Sequence, residues 1–272
     1  MQNDTVVCYH KDCCDGMGAA LAAYLKYGND VDYLPYVPNT DVEGLEKYEG
    51  IFFLDSVPKE ELFERIKHRN LTILDHHSGN NRPPYSNYPG FHFNNNHSGA
   101  YIAWEYFQPN IKVPDMIRYI EDRDLWAWKL EFSDEISTYL MSVEKTFDSY
   151  LAVLRSWKTN FPYYLIKGFA MVEQRNSMLQ FQLKAAYRVD LEGYNVPVLN
   201  TTCFVSELGN VLAQKNPFAV LYYFDGKSKE YKLSFRSDEN GVDVSEIAKK
   251  VGGGFGHARS SGCKVKVLPW KM

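Results

Sequence analysis

The chain has 272 residues, of which 45% are apolar and 24% charged, an ordinary globular composition that argues against extensive disorder. Its apolar runs, such as residues 51–54, fall far short of the ~20 residues a membrane helix needs. A net charge of −4 speaks against a coat on long nucleic acid, which is usually strongly basic, but leaves room for a small phosphate-bearing ligand.

In chain order, residues 5–9 are β-branched and aromatic and read as a strand, and the Ala- and Leu-rich stretch 16–27 reads as a helix. Strands are predicted over 31–36, 51–54 and 71–74, with a helix over 58–67 opened by Pro58. Asn, Pro and Gly dominate 79–96, a predicted loop with one strand near 91–93. Ser98 is placed to cap a helix running to 107, Pro114 to open another, and 133–187 reads as mostly helix. After Gly193 come strands over 196–199, 218–224 and 231–235, separated by helices over 206–213 and 244–250. The expected fold is α/β: a mainly parallel sheet with flanking helices, a helical linker, and a smaller α/β domain across a cleft. The first domain is expected over 1–187 and the second over 195–272.

The start of the chain lacks a basic segment followed by an apolar one, so no secretory signal is read there. The five cysteines are an odd number without a CxxC pair, and the reading is of reduced thiols in a cytoplasmic protein. Charge is uneven: residues 1–192 hold 19 Lys and Arg against 27 Asp and Glu, and residues 193–272 hold 11 against 7. One reading is surface scatter; the other is an acidic part that holds cations and a basic part that holds an anion.

The chemistry-bearing residues follow predicted strands. His10, Asp12 and Asp15 follow the first, Asp55 follows 51–54, and Asp75, His76 and His77 follow 71–74. Ligands of a parallel sheet bind at the carboxyl ends of its strands, so three strand ends would bring these side chains to one rim. Asp122 and Asp124 come from a later helix. Singly, such residues are commonly caps or loop hydrogen bonds. Together, carboxylates so crowded call for cations, and imidazole with carboxylate suits Mn²⁺ first and Mg²⁺ second.

LTILDHH resembles the signature of the DHH phosphoesterases, and YHKDCCDGMGAA and FLDSV resemble the superfamily's first two motifs. NHSGAYIAWEYF and YIEDRDLW resemble the stretches that follow in one branch. LSFRS, DVSEIAKK and GGGFGHARSSG look like the associated DHHA1 domain. The resemblance covers residues 5–128 and about 196–268. It implies two divalent metal ions: His10 and an Asp of the first motif on one, Asp55 bridging, and Asp15, His76 and an Asp of 122–124 on the other. Asp122, four residues before Trp126, is the preferred one of that pair. His77 would touch the substrate phosphate; apart from the resemblance, Asp75 and Asp124 are candidates to support the ligands, and His97 is a candidate for a structural, supporting or direct role. Two departures stand out. Cys13 and Cys14 separate Asp12 from Asp15, and Phe255 and Gly256 expand the glycine motif.

The glycine loop reads either as a turn or as an anion cradle built from Gly253, Gly254 and Gly256 with His257 and Ser261. The resemblance favours nucleotide binding there and at Arg236. It implies a hydrolase, a phosphodiesterase or exonuclease that cleaves short RNA or DNA oligonucleotides or cyclic (di)nucleotides through attack by a metal-bridging hydroxide, with Arg236 stabilising charge. Neither a membrane nor long nucleic acid is an expected partner; self-association is left open. Two rival readings are a phosphoanhydride hydrolase and a non-catalytic nucleotide-binding protein with an altered first motif.

Overall fold

The computed structural model describes residues 3–270. The chain divides into two compact units, Met1–Val172 and Glu173–Met272.

The first unit follows the predicted alternation. β1 (Thr5–His10), α1 (Cys14–Tyr27), β2 (Asp32–Tyr36), β3 (Gly50–Leu54), α2 (Glu60–Ile66), β4 (Asn70–Asp75) and β5 (Phe91–Phe93) come first. The five strands form one parallel sheet in the order β2-β1-β3-β4-β5. The order reverses between β1 and β3, the switch point at which such sheets open a crevice. Side chains alternate across the pleat. Val6, Cys8, Ile51, Phe53, Leu71 and Ile73 pack with Leu62, Phe63 and Ile66 of α2 on one face. Val7, Leu54 and Leu74 pack on the other with α1 and the helices that follow. Burial on both faces explains why these strands read as short continuous apolar runs rather than alternating ones. Pro58 lies outside α2, which begins at Glu60 after Lys59.

Four helices complete this unit: α3 (Gly99–Phe107), α4 (Asp115–Asp124), α5 (Ser133–Ser142) and α6 (Phe147–Arg155). Ser98 caps α3 as its sequence predicts, its hydroxyl accepting from the Tyr101 N–H at 3.4 Å. The division between the units falls within the long α7 (Trp157–Leu183).

The second unit contains β6 (Tyr187–Leu191), β7 (Tyr194–Asn200), α8 (Val205–Ala213), β8 (Ala219–Asp225), β9 (Glu230–Arg236), α9 (Val244–Gly252), β10 (Phe255–His257) and β11 (Ser260–Val265). They form a mixed sheet in the order β10-β11-β9-β8-β7-β6, in which β7 and β8 are the parallel pair. Ile247 and Ala248 of α9 pack on one face with Val196, Val198, Val220 and Phe235, and Leu208 of α8 on the other with Leu199 and Leu221. No helix among the described residues is long and apolar enough to cross a membrane.

Candidate metal centre

The carboxyl ends of β1, β3 and β4 bring His10, Asp55, His76 and His77 to one rim. Asp55 sits immediately after β3 at φ 57° with 1% of its surface exposed. Its Oδ2 lies 3.2 Å from His10 Nδ1 and its Oδ1 3.3 Å from His76 Nε2. The same His76 nitrogen is 3.3 Å from Asp124 Oδ2 and 3.7 Å from Asp15 Oδ2. Three carboxylates therefore converge on one imidazole nitrogen. His76 Nε2 and Asp55 Oδ1 are nonetheless buried without a well-formed hydrogen bond. Buried polar atoms left this way are uncommon in native proteins and mark a place for an unseen ion or water.

Asp15 is held by the start of a helix. The Gly99 N–H donates to its Oδ2 (2.6 Å) and the Ala100 N–H to its Oδ1 (2.9 Å), so the positive end of α3 faces the carboxylate. The approach needs glycine at 99: a Cβ there would stand 2.5 Å from Asp55 Cβ. Gly16 does the same for α1, where a Cβ would stand 2.2 Å from the His10 carbonyl oxygen.

The electrostatics follow from crowding. Burial, with the charges of Asp55 and Asp124, pushes the Asp15 carboxyl well up, and burial with the charge of Asp55 pushes Asp124 up. Burial alone would raise Asp55 too, but His10, His76 and His77 hold it below the usual carboxylate range. Burial opposes charge on His76, but Asp55, Asp15 and Asp124 raise it strongly. Burial likewise opposes charge on His77, which Asp75 and Asp55 hold up at about 9. Asp75, wholly buried, accepts from His77 Nδ1 and Asn80 Nδ2, both at 2.7 Å. It therefore fixes the orientation of the His77 ring.

Two acids stand elsewhere than expected. The Asp12 side chain is 83% exposed, on a residue at φ 58°, and faces Lys11 at 4.0 Å. The left-handed turn throws its carboxylate into solvent, and the thiol of Cys13 stands near His10 and Asp55 in its place. Asp122, preferred on spacing, is spent on the loop after α4: its carboxylate accepts from the N–H groups of Lys129 (2.9 Å) and Leu130 (3.1 Å). Asp124 is the acid beside His76. His97 pairs with Glu121 at 2.7 Å and stacks on Tyr101, joining the loop before α3 to α4.

The side-chain groupings with ligand atoms within 4.8 Å of one another are Asp15–His76–Asp124, Asp55–His76–His77 and His10–Cys13–Asp55. Their carboxylates, imidazoles and one thiol, with an orphaned carboxylate oxygen among them, fit divalent cations. Neither Cys13 nor Gly99 stood among the residues expected at the site. The only sequence signal for Cys13 is the one-residue surplus between His10 and Asp15.

In the second unit, Arg236 ends β9 and donates to the Phe235 carbonyl (2.9 Å) and the Ser206 hydroxyl (3.2 Å). Gly209 makes room for it, since a Cβ there would meet Arg236 Cγ at 2.5 Å. The glycine loop serves mainly as a helix end. The N–H of Gly253 donates to Lys249 and that of Gly254 to Ala248, closing α9 with Gly253 at φ 64°. Those two amides are thus not presented as an anion cradle. The Ser261 hydroxyl is likewise committed, to the Val244 carbonyl. Gly256 pairs with Ser261 in the β10–β11 hairpin, and His257 ends β10 on the surface.

No protein-family model matches the chain. It is 30% identical to the uncharacterized protein R106 of Acanthamoeba polyphaga mimivirus over 290 residues, covering 94% of this chain and 66% of that one. It is 22% identical to the oligoribonuclease NrnB of Bacillus subtilis, covering 94% and 72%. The chain thus spans about two thirds of the length of these curated relatives. Among solved structures, the DHH domain of a member of the S1p family of ribosomal proteins aligns at a TM-score of 0.65 with 11% identity, covering 97% of this chain and 83% of that one. The pGpG-specific phosphodiesterase PggH from Vibrio cholerae aligns at 0.54 with 14% identity, covering 96% and 92%. A manganese-bound RecJ exonuclease aligns at 0.51 with 12% identity, covering 96% and 86%. In fold, the chain is thus similar to DHH-domain proteins.

Proposed function

We propose that the chain is a phosphodiesterase that uses two divalent cations, Mn²⁺ before Mg²⁺, to cleave short oligonucleotides or cyclic (di)nucleotides in a reducing cytoplasm. The observation that carries this reading is the convergence of Asp15, Asp55 and Asp124 on His76 Nε2, where neither that nitrogen nor the buried Asp55 Oδ1 forms a hydrogen bond. Asp15, Asp55, His76 and Asp124 would hold one cation, and His10 with Asp55 the other. Bound there, the cations would neutralise phosphoryl oxygens and bring a water's pKa toward neutrality.

The protein's own groups divide the remaining work. His77, fixed through Nδ1–H by Asp75, would offer Nε2–H to a phosphoryl oxygen. Arg236, at the end of β9, would grip a phosphate. The names of NrnB and PggH among the similar proteins support short nucleotide substrates. So does the acidic net charge, which disfavours long polymers.

The test is a panel of short RNA, short DNA, pApA, cyclic mono- and dinucleotides and pyrophosphate, each with Mn²⁺ or Mg²⁺. Nucleotide release dependent on the metal, and lost in Asp55→Asn, is the expected result. Turnover of pyrophosphate alone would replace the reading with a phosphoanhydride hydrolase. Tight nucleotide binding without turnover would replace it with a binding protein.

A further inference from the structure

We propose that Cys13 is a thiolate ligand of the cation held by His10 and Asp55, which makes the two cation positions chemically unequal. The inference deepens the reading of this rim as a two-cation centre and rests on it.

Four observations lead there. The ligand atoms of His10, Cys13 and Asp55 lie within 4.8 Å of one another. Asp55, 1% exposed, turns its Oδ2 to His10 in that group, while its Oδ1, toward His76, has no hydrogen-bond partner. The acid expected to complete the set, Asp12, is turned to solvent. Finally, the two adjacent cysteines diverge. Cys14 Sγ points to the Leu140 carbonyl at 3.7 Å, while the sulfur of Cys13, which precedes α1, lies with the ligand atoms of His10 and Asp55. The rim thus presents a thiol in exchange for the carboxylate that the resemblance implied.

The exchange alters metal preference. Carboxylate and imidazole alone suit Mn²⁺ and Mg²⁺, whereas a thiolate favours softer ions such as Zn²⁺, Fe²⁺ or Co²⁺. The position formed by Asp15, His76 and Asp124 has no sulfur and stays hard. On binding, a sulfur–metal bond forms and the thiol proton leaves to solvent.

Cobalt(II), added anaerobically to metal-free protein, reads this out without reference to turnover. The wild type should show a thiolate-to-cobalt charge-transfer band in the near ultraviolet. Cys13→Ser should lose the band and bind the first equivalent at least ~10-fold more weakly, since even losses outside the ligand shell cost that much. Cys14→Ser should keep the band. Cys13→Asp should lack the band yet regain tight Mn²⁺ binding, which shows that the altered protein is folded. Cobalt d–d absorption without charge transfer would overturn the proposal and leave the two-cation reading intact, as would a band that survives in Cys13→Ser. Absence of cobalt binding to the wild type would overturn both.

Discussion

Replacing Gly99 by alanine isolates the packing that holds the bridging carboxylate. The added Cβ would stand 2.5 Å from Asp55 Cβ and 2.9 Å from its Oδ1, where carbon contacts normally settle near ~3.5–4.0 Å. Neither side yields easily: Asp55 is 1% exposed at φ 57°, and the Gly99 N–H is tied to Asp15. Helix propensity acts in the opposite direction, because alanine is favoured over glycine by up to ~1 kcal/mol within a helix. Overpacking a rigid site costs ~1–3 kcal/mol, so the clash prevails. The net expectation is a loss of about 1–2 kcal/mol in urea unfolding of the metal-free protein. For a unit of this size that is a fall of roughly 2–8 °C in Tm. Mn²⁺ affinity, measured by calorimetric titration, should fall at least ~10-fold as Asp55 is displaced. A Gly99→Ala protein as stable as the wild type, with unchanged Mn²⁺ affinity, would refute the reasoning.

Asp122→Ala should leave the N–H groups of Lys129 and Leu130 without their acceptor and cost ~1–3 kcal/mol in urea unfolding, with Mn²⁺ affinity little changed. Asp124→Asn should do the reverse, weakening Mn²⁺ at least ~10-fold while leaving the metal-free protein as stable or more so, since it removes one of the crowded charges. In chelator, the urea midpoint should fall as pH rises from ~6.5, the unfolded histidine value, through the folded value of about 9 for His77. The raised histidine contributes stability that is fully present below the first value and lost above the second. Saturating Mn²⁺ should flatten or reverse that slope, because it displaces the protons. Arg236→Lys should raise KM for a nucleotide with kcat largely kept, because lysine cannot reproduce the planar fork; equal loss in kcat would move Arg236 into the chemical step.

How much of the site the sequence disclosed depends on the backbone that carries each residue. His10, Asp55, Asp75, His76 and His77 were legible because parallel strands line up their carboxyl ends, and one predicted strand end fixes where its next residues go. Asp12 was misplaced because spacing does not reveal a left-handed turn; φ 58° there sends the side chain outward and lets Cys13 in. Asp122 and Asp124 are two residues apart on a helix, hence ~200° apart around it, and only one can face the rim. The phase was available from Met116, Ile117 and Ile120, which bury α4, whereas distance to Trp126 carried no phase information. Glycines gave the same ambiguity in the second unit. An amide that cradles an anion and one that closes a helix have the same sequence, and at Gly253 and Gly254 the helix carbonyls take them. β6 and β10 escaped notice because each is short and pairs only with its neighbour across a tight hairpin.

The way the rim carries its charge links these pieces. Three carboxylates cannot be brought together in a buried place without compensation. The start of α3 compensates Asp15 through two backbone N–H groups, and His10 and His76 compensate Asp55. Those devices leave Asp55 Oδ1 without a hydrogen bond and require His76 and His77 to carry protons well above their ordinary range. Without metal, the protons serve as the counter-charge. A divalent cation bound there would supply the same charge to several oxygens at once, and His76 would then serve as a neutral ligand. If the centre holds metal as proposed, the stability of this unit and its occupancy by metal become one equilibrium.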